Sequence, residues 1–410
     1  MGKSSTAALA GSRFSFVLPK TIVALHMPLW RLPDHVADVL PAEARKLEEL
    51  RRVALDIFRS HGYELIQPPL LEYLESLITG VGRDLESSIF KLVDQLSGRT
   101  MGVRADITPQ AARIDAHLLN RSGVTRLAYC GHLLHTTPRT PLGSREPIQL
   151  GAELYGYPGI HADLEILELA LSLLRRVTDE PLVVSVSHVG IVQAVLGAAA
   201  NGSDWREAAA NALVRKDRAA LEQLPDTQVG ADLLALLDAA GPPQSVRLNA
   251  CRTRIEARHP SSVQAFADLD RVANAIAGRA QVLFDLADTH SYGYHNGITF
   301  AVFAPGGAAA LARGGRYDTA SSQFGRARAA TGFSMDLRDL SRLLAAPAPA
   351  RAISAPWTDD AAWRDAVARL RADGEIVVVE FPGALHEHDE FAYDRELVRG
   401  DAGWIVRVRD

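Results

Sequence analysis

Of the chain's 410 residues, 47% are hydrophobic and 23% charged, the composition of a folded globular protein rather than a disordered or fibrous one. A net charge of −5 gives no sign of a broadly basic nucleic-acid surface, and no apolar run reaches the about 18 residues of a transmembrane helix. Two cysteines, Cys130 and Cys251, cannot build a disulfide framework, which fits a reducing, cytoplasmic setting.

Residues 1–27 read as an N-terminal extension without fixed structure. The apolar stretch Val17–His26 is short and Lys20 interrupts it, so it does not fit an export signal. Pro41 opens a helical pattern through Ala44, Leu47, Leu50, Val53, Ile57 and Phe58, which Gly62 closes. Tyr63–Pro69 is an extended segment stopped by two prolines. Residues 80–104 read as loop and hairpin around Phe90–Asp94, and 109–119 as a short helix. Arg126–Leu134 and Ile148–Gly156 form an antiparallel pair around the polar loop 135–147. Asp163–Arg176 has leucines at helical spacing, and Leu182–Ser187 is a β-branched strand.

Residues 190–278 turn Ala/Leu-rich with helical periodicity, the mark of a helical insertion. Strand signals return at Val282–Leu286 and Ile298–Phe303, followed by Gly314–Asp318 and Gly332–Met335. Ala345–Ala350 reads as a linker, and the tail beyond it as one helix (Asp360–Ala372) and two strands (Glu375–Glu380 and Trp404–Val408). Strands and helices mix without regular alternation, so the expected class is α+β with a largely antiparallel sheet. The expected divisions are a core in two parts (28–189 and 279–345), the insertion 190–278, and a small C-terminal α/β segment with its linker (346–410).

Alternation along Ile148–Tyr155 puts Gln149, Gly151 and Glu153 on one face. A glycine between two hydrogen-bonding side chains leaves room for a ligand; an ordinary solvent-facing strand has the same pattern. Arg104, Asp106 and Thr108 share a face if that segment is extended. If the two strands are neighbours, Asp106 and Glu153 make a carboxylate pair of the kind a free amino acid such as histidine needs for its ammonium and imidazole; the other reading is a structural Asp–Arg pair. Asp288–Gly297 packs Tyr and His side chains that could line a pocket. His290 and His295 lack metal-ligand spacing, so no metal is expected, and His386-Glu-His388 reads as a solvated loop. Gly314–Asp318 could hold a phosphate but lacks the lysine and helix start of a P-loop. No cofactor motif stands out.

The order of motifs resembles the catalytic core of class II histidyl-tRNA synthetases over about residues 28–345. Gly62–Pro69 resembles motif 1, and Arg104-Ala-Asp-Ile-Thr-Pro109 the Arg-Pro-Glu-Gly-Thr signature. Gln149-Leu-Gly-Ala-Glu153 resembles the end of motif 2, and Tyr294-His-Asn-Gly-Ile-Thr-Phe300 the second histidine signature. Gly314-Gly-Arg-Tyr-Asp318 matches outright, and Gly332-Phe-Ser-Met335 begins like motif 3. The resemblance implies an antiparallel sheet flanked by helices and a histidine pocket of Asp106, Thr108, Gln149, Glu153, Tyr294, His295 and Tyr317. The nucleotide side departs. His135 and Thr137 stand where motif 2 has its arginine and glutamate, Asp339 where motif 3 ends in arginine, and His290 where a catalytic arginine is expected. Neither histidine nor threonine gives a permanent bidentate cation, and Asp339 repels a triphosphate, so no catalytic residues are expected.

A closer resemblance covers residues 28–410: the regulatory-subunit family of ATP phosphoribosyltransferase. Trp30–Asp34, Ser144-Arg-Glu-Pro147, Gly151–Gly156 and Asp394-Arg-Glu-Leu397 carry it. It implies a non-catalytic subunit serving the first step of L-histidine biosynthesis, with histidine as feedback ligand. It also implies a short catalytic ATP phosphoribosyltransferase as partner in a hetero-octamer, with the regulatory chains paired as dimers. In the tail from Ala352 onward acidic residues outnumber Lys and Arg, so no productive tRNA binding is expected. The alternatives are a divergent working histidyl-tRNA synthetase and a pseudo-synthetase that senses tRNA.

Overall fold

A computed structural model describes residues 31–79, 83–141, 143–197, 203–288, 294–318, 325–345, 347–385 and 390–409. The extension 1–27, His290 and His386–His388 lie outside the described residues. The strands are β1 Glu64–Leu65, β2 Leu71–Tyr73, β3 Phe90–Val93, β4 Thr100–Val103, β5 Thr125–His132, β6 Ile148–Tyr155, β7 Val183–His188 and β8 Gln281–Phe284. They continue as β9 Ile298–Phe303, β10 Ala312–Arg316, β11 Ala330–Asp336, β12 Ala350–Pro356, β13 Val377–Glu380, β14 Phe391–Gly400 and β15 Gly403–Val408.

The central sheet has eight strands in the order β1-β5-β6-β11-β10-β9-β7-β8. Every pairing is antiparallel except β1 with β5 and β7 with β8. The helices Pro41–Ser60 and Ile160–Leu174 bury their apolar stripes on one face, where Leu47, Leu50, Ala54 and Phe58 join Leu150, Leu154, Ile166 and Phe333 in one core. Every residue of β6 is buried, so its Gln149, Gly151 and Glu153 do not face solvent. The sheet packs on helices with one side, and its other side carries a polar network.

Between β7 and β8 lie the helices Val189–Gly197, Ser203–Val214, Arg218–Glu222, Thr227–Asp238, Val246–Arg258 and Val263–Ala275. Side-chain caps start three of them: Asp217 on Ala220 N, Asp226 on Gln228 N and Val229 N, and Ser245 on Leu248 N. Asp232, fully buried, accepts from Arg254 Nε (2.7 Å), Arg258 Nε (2.9 Å) and His259 Nε2 (2.9 Å), which joins two of these helices.

The tail differs from the expectation of two strands. It forms a four-stranded sheet, β13-β12-β14-β15, covered on one face by the helix Ala361–Ala372. Trp363 and Val367 pack on Ile353, Ala355, Val377 and Leu397. Segment 350–356, partly read as linker, is a central strand because small residues (Ala352, Ser354, Ala355) let neighbours close over it. β14 escaped notice because its charges carry no apolar alternation; they are neutralised pairwise, Arg395 by Glu375 (2.7 Å) and Arg351 by Asp394.

Candidate functional site

On the polar side of the sheet, register places Glu153 between Leu127 of β5 and Gly332 of β11. A methyl group on Gly332 would collide with Glu153 Oε2, so the glycine makes space for the carboxyl. Glu153 is 1% exposed. Its Oε1 accepts from Thr108 Oγ1 (3.0 Å) and Tyr129 Oη (2.9 Å), and its Oε2 from Tyr317 Oη. Burial pushes its pKa up to about 8; the three hydroxyl donors oppose that rise and the charge of Asp106 adds to it. An acid so placed can give a proton to an imidazole or pair with the resulting cation.

Beside it, Gln149 Nε2 donates to Asp106 Oδ1 (2.8 Å) while its Oε1 accepts from Ile107 N (2.7 Å). Asp106 Oδ1 also accepts from Thr108 N (2.9 Å). Asp106 and Glu153 thus belong to one network, bridged by Thr108 and flanked by Gln149. Tyr294 stacks on Tyr317 (centroids 5.2 Å apart, planes at 17°), and His295 meets Tyr294 edge-on at 5.1 Å. Gly315, at φ +156°, admits that arrangement: a Cβ there would lie 2.5 Å from Ile298 O and 3.0 Å from His295 Cδ2. All seven expected pocket residues therefore cluster around β6, β10 and the loop before Thr108.

Three details depart from the sequence reading. The 104–108 segment is not extended: Thr108 begins the helix Thr108–Arg113, and an Asx turn from Asp106 starts it. Arg104 turns away from Asp106, with Nε on His132 O (2.9 Å) and Nη1 on Pro68 O (2.7 Å). The space over Gly151 is filled by Tyr129, whose hydroxyl would lie 2.5 Å from a Cβ there. Tyr129 is the pocket residue that went unpredicted. Alternation on β5 puts it opposite Gly151, which is the signal that could have found it. Gly314–Asp318 offers no phosphate site, because Arg316 is spent on buried Asp163 (Nη2 to Oδ2, 2.7 Å) and on Asp318 (3.2 Å).

On the nucleotide side, His135 is buried and its Nε2–H donates to Ala105 O (2.9 Å). Thr137 is exposed, and Asp339 is exposed and paired with Arg342 at 2.8 Å. Asp336, half-buried and near Asp339, has its pKa pushed up to about 6, chiefly by loss of solvation and then by that neighbouring charge. Among the described residues, no group of three or more His, Cys, Asp and Glu is placed to hold a metal ion, and no helix is long and apolar enough to cross a membrane.

This geometry has relatives. Residues 35–340 match the family model of histidyl-tRNA synthetase, and residues 350–407 match that of the ATP phosphoribosyltransferase subunit HisZ C-terminal domain. The ATP phosphoribosyltransferase regulatory subunit of Cupriavidus taiwanensis is 51% identical over 384 residues, covering 93% of this chain and 99% of that protein. The chain belongs to this regulatory-subunit family. The protein of the same name from Paraburkholderia phytofirmans is 49% identical over 385 residues, covering 93% and 100%. Among solved structures, an ATP phosphoribosyltransferase regulatory subunit/histidyl-tRNA synthetase from Bacillus halodurans superposes with a TM-score of 0.75 at 24% identity, covering 88% and 95%. A histidyl-tRNA synthetase from Nostoc does so with a TM-score of 0.71 at 18% identity, covering 87% of each chain. The fold is thus that of the class II synthetases, α+β, and the family's role is regulatory, in histidine biosynthesis.

Proposed function

We propose that the chain binds L-histidine in the Asp106–Glu153 network and conveys feedback inhibition to a short catalytic ATP phosphoribosyltransferase subunit in the cytoplasm. The observation that carries this reading is the buried Glu153 carboxyl, held by Thr108, Tyr129 and Tyr317 next to the Asp106–Gln149 pair. Glu153 takes the imidazole and Asp106, with Gln149 and Thr108, the ammonium. Tyr294 and His295 close the aromatic side. The chain itself performs no adenylation and no phosphoribosyl transfer, because the nucleotide side offers His135 turned inward and an acidic Asp339. Productive tRNA binding is not part of the role. The exposed apolar side chains Leu65, Leu70 and Leu71 near the β1 edge support pairing of two copies, which would enter a hetero-octamer with the catalytic subunits.

Feedback requires histidine to bind one state of the complex better than the other, a coupling of about 1–3 kcal/mol. In the reconstituted complex, Asp106→Ala and Glu153→Ala should each raise the histidine concentration for half inhibition at least ~10-fold, with assembly unchanged by light scattering. An unaltered inhibition curve would reject the site. A working synthetase would instead show pyrophosphate exchange with histidine and ATP, and a tRNA sensor would bind tRNA at physiological salt.

A further inference from the structure

Two sequence segments with no part in the pocket meet in the fold. His35 has a left-handed backbone (φ +63°), uncommon for a residue with a side chain. Its carbonyl accepts from Arg145 N (3.0 Å), and its imidazole N–H donates to Gly143 O (3.2 Å). Arg145 Nε donates to His135 O (3.1 Å), His135 N donates back to Arg145 O (2.8 Å), and the guanidinium lies 5.1 Å over the Phe90 ring. His135 then reaches Ala105 O, the carbonyl immediately before Asp106. Leu134 N on Arg104 O (3.2 Å) makes a second tie to the same segment. A continuous set of hydrogen bonds therefore runs from exposed His35 to the peptide carbonyl that precedes Asp106.

We propose that Arg145 and His135 are positioning residues: they fasten the segment around residue 35 to the Ala105–Thr108 turn and so set how well Asp106 meets an ammonium group. The physical reason is that Asp106 sits in a turn outside strand and helix: Gln149 and Thr108 N hold its carboxylate, and its backbone is set by what holds Ala105. Glu153 stands on the sheet with Tyr129 and Tyr317 as further donors and shares with the turn only its Thr108 contact, so imidazole recognition depends on the turn less. The proposal rests on the histidine reading above and assigns the residues that tune it.

The test uses the full chain, with calorimetry on L-histidine and on 3-(imidazol-4-yl)propionate, which lacks the ammonium, and hydrogen exchange at the Ile107 and Thr108 amides. Arg145→Ala and His135→Ala should each weaken histidine about 10-fold and leave the propionate within about twofold. Arg145→Lys should recover part of the loss, since one amine cannot replace the planar fork. Deletion of residues 1–35 should mimic Arg145→Ala, and the two together should do no more than either. The Ile107 and Thr108 amides should exchange faster in each variant, while amides of the 227–258 helices keep the wild-type rate. Equal losses for both ligands, or unchanged exchange at Ile107 and Thr108, would overturn the proposal. A wild-type chain that binds neither ligand would reject the histidine reading alone, and the exchange rates would still decide this one.

Discussion

Glu153 shows how one buried residue sets a pH dependence. Its pKa of about 8, raised by burial, means that the folded chain keeps this proton across the interval between the ordinary carboxylate range and pH about 8, where the unfolded chain has lost it. Stability contributed by this group is complete below that interval and declines as pH rises through it. Glu153→Gln removes the titration, so its urea midpoint should gain on the wild type between pH 5 and pH 8; parallel curves would contradict this. Gly332 answers to the same carboxyl. Gly332→Ala should cost about 1–3 kcal/mol by overpacking, and the part due to the carboxyl should vanish in a Glu153→Ala background while the contact with Ala152 O remains. Additive losses in the denaturation cycle would show that the clash lies elsewhere. Gln149 and Glu153 were legible from alternation alone, because a strand's period of two decides which side chains share a face. Tyr129 needed the β5–β6 register as well, and Arg104 was not legible: an arginine becomes a strap only through partners dozens of residues away.

Helices were the easier elements to read. The 41–60 helix follows from apolar spacing after Pro41, and the insertion from its Ala/Leu periodicity broken at Gly and Pro. Strands β12 and β14 were missed because their stability comes from neighbours: small residues that fit a central position, and charges cancelled across the sheet. The insertion contains a comparable device in Asp232. Asp232→Ala would leave Arg254 and Arg258, both partly solvent-screened, and buried His259 without their shared acceptor, which should cost about 1–3 kcal/mol. Hydrogen exchange should show that loss first in the 227–238 and 246–258 helices; uniform loosening of the eight-stranded sheet would refute the assignment.

At the scale of the molecule, polar contacts of the first helix tie the eight-stranded unit to the linker and the tail. Arg45 Nη2 donates to Ala348 O (3.0 Å), Lys46 Nζ to Leu344 O (2.7 Å), and Arg45 faces Glu390 at 3.7 Å, so the first helix holds the tail's linker. A regulatory chain needs no catalytic group of its own, and the purified chain alone should show no phosphoribosyl transfer; turnover at any enzyme-proportional rate would contradict the proposed division of labour. Sequence alone fixed what local rules govern: helical periods, strand alternation, the loss of arginines around a nucleotide, and motifs whose order marks the fold. Only the folded chain could decide which distant groups share a carboxylate, which segments bond to the Ala105–Thr108 turn, and where small or charged residues become strands. Local propensity acts through neighbours in sequence, whereas hydrogen-bond satisfaction and burial act through neighbours in space.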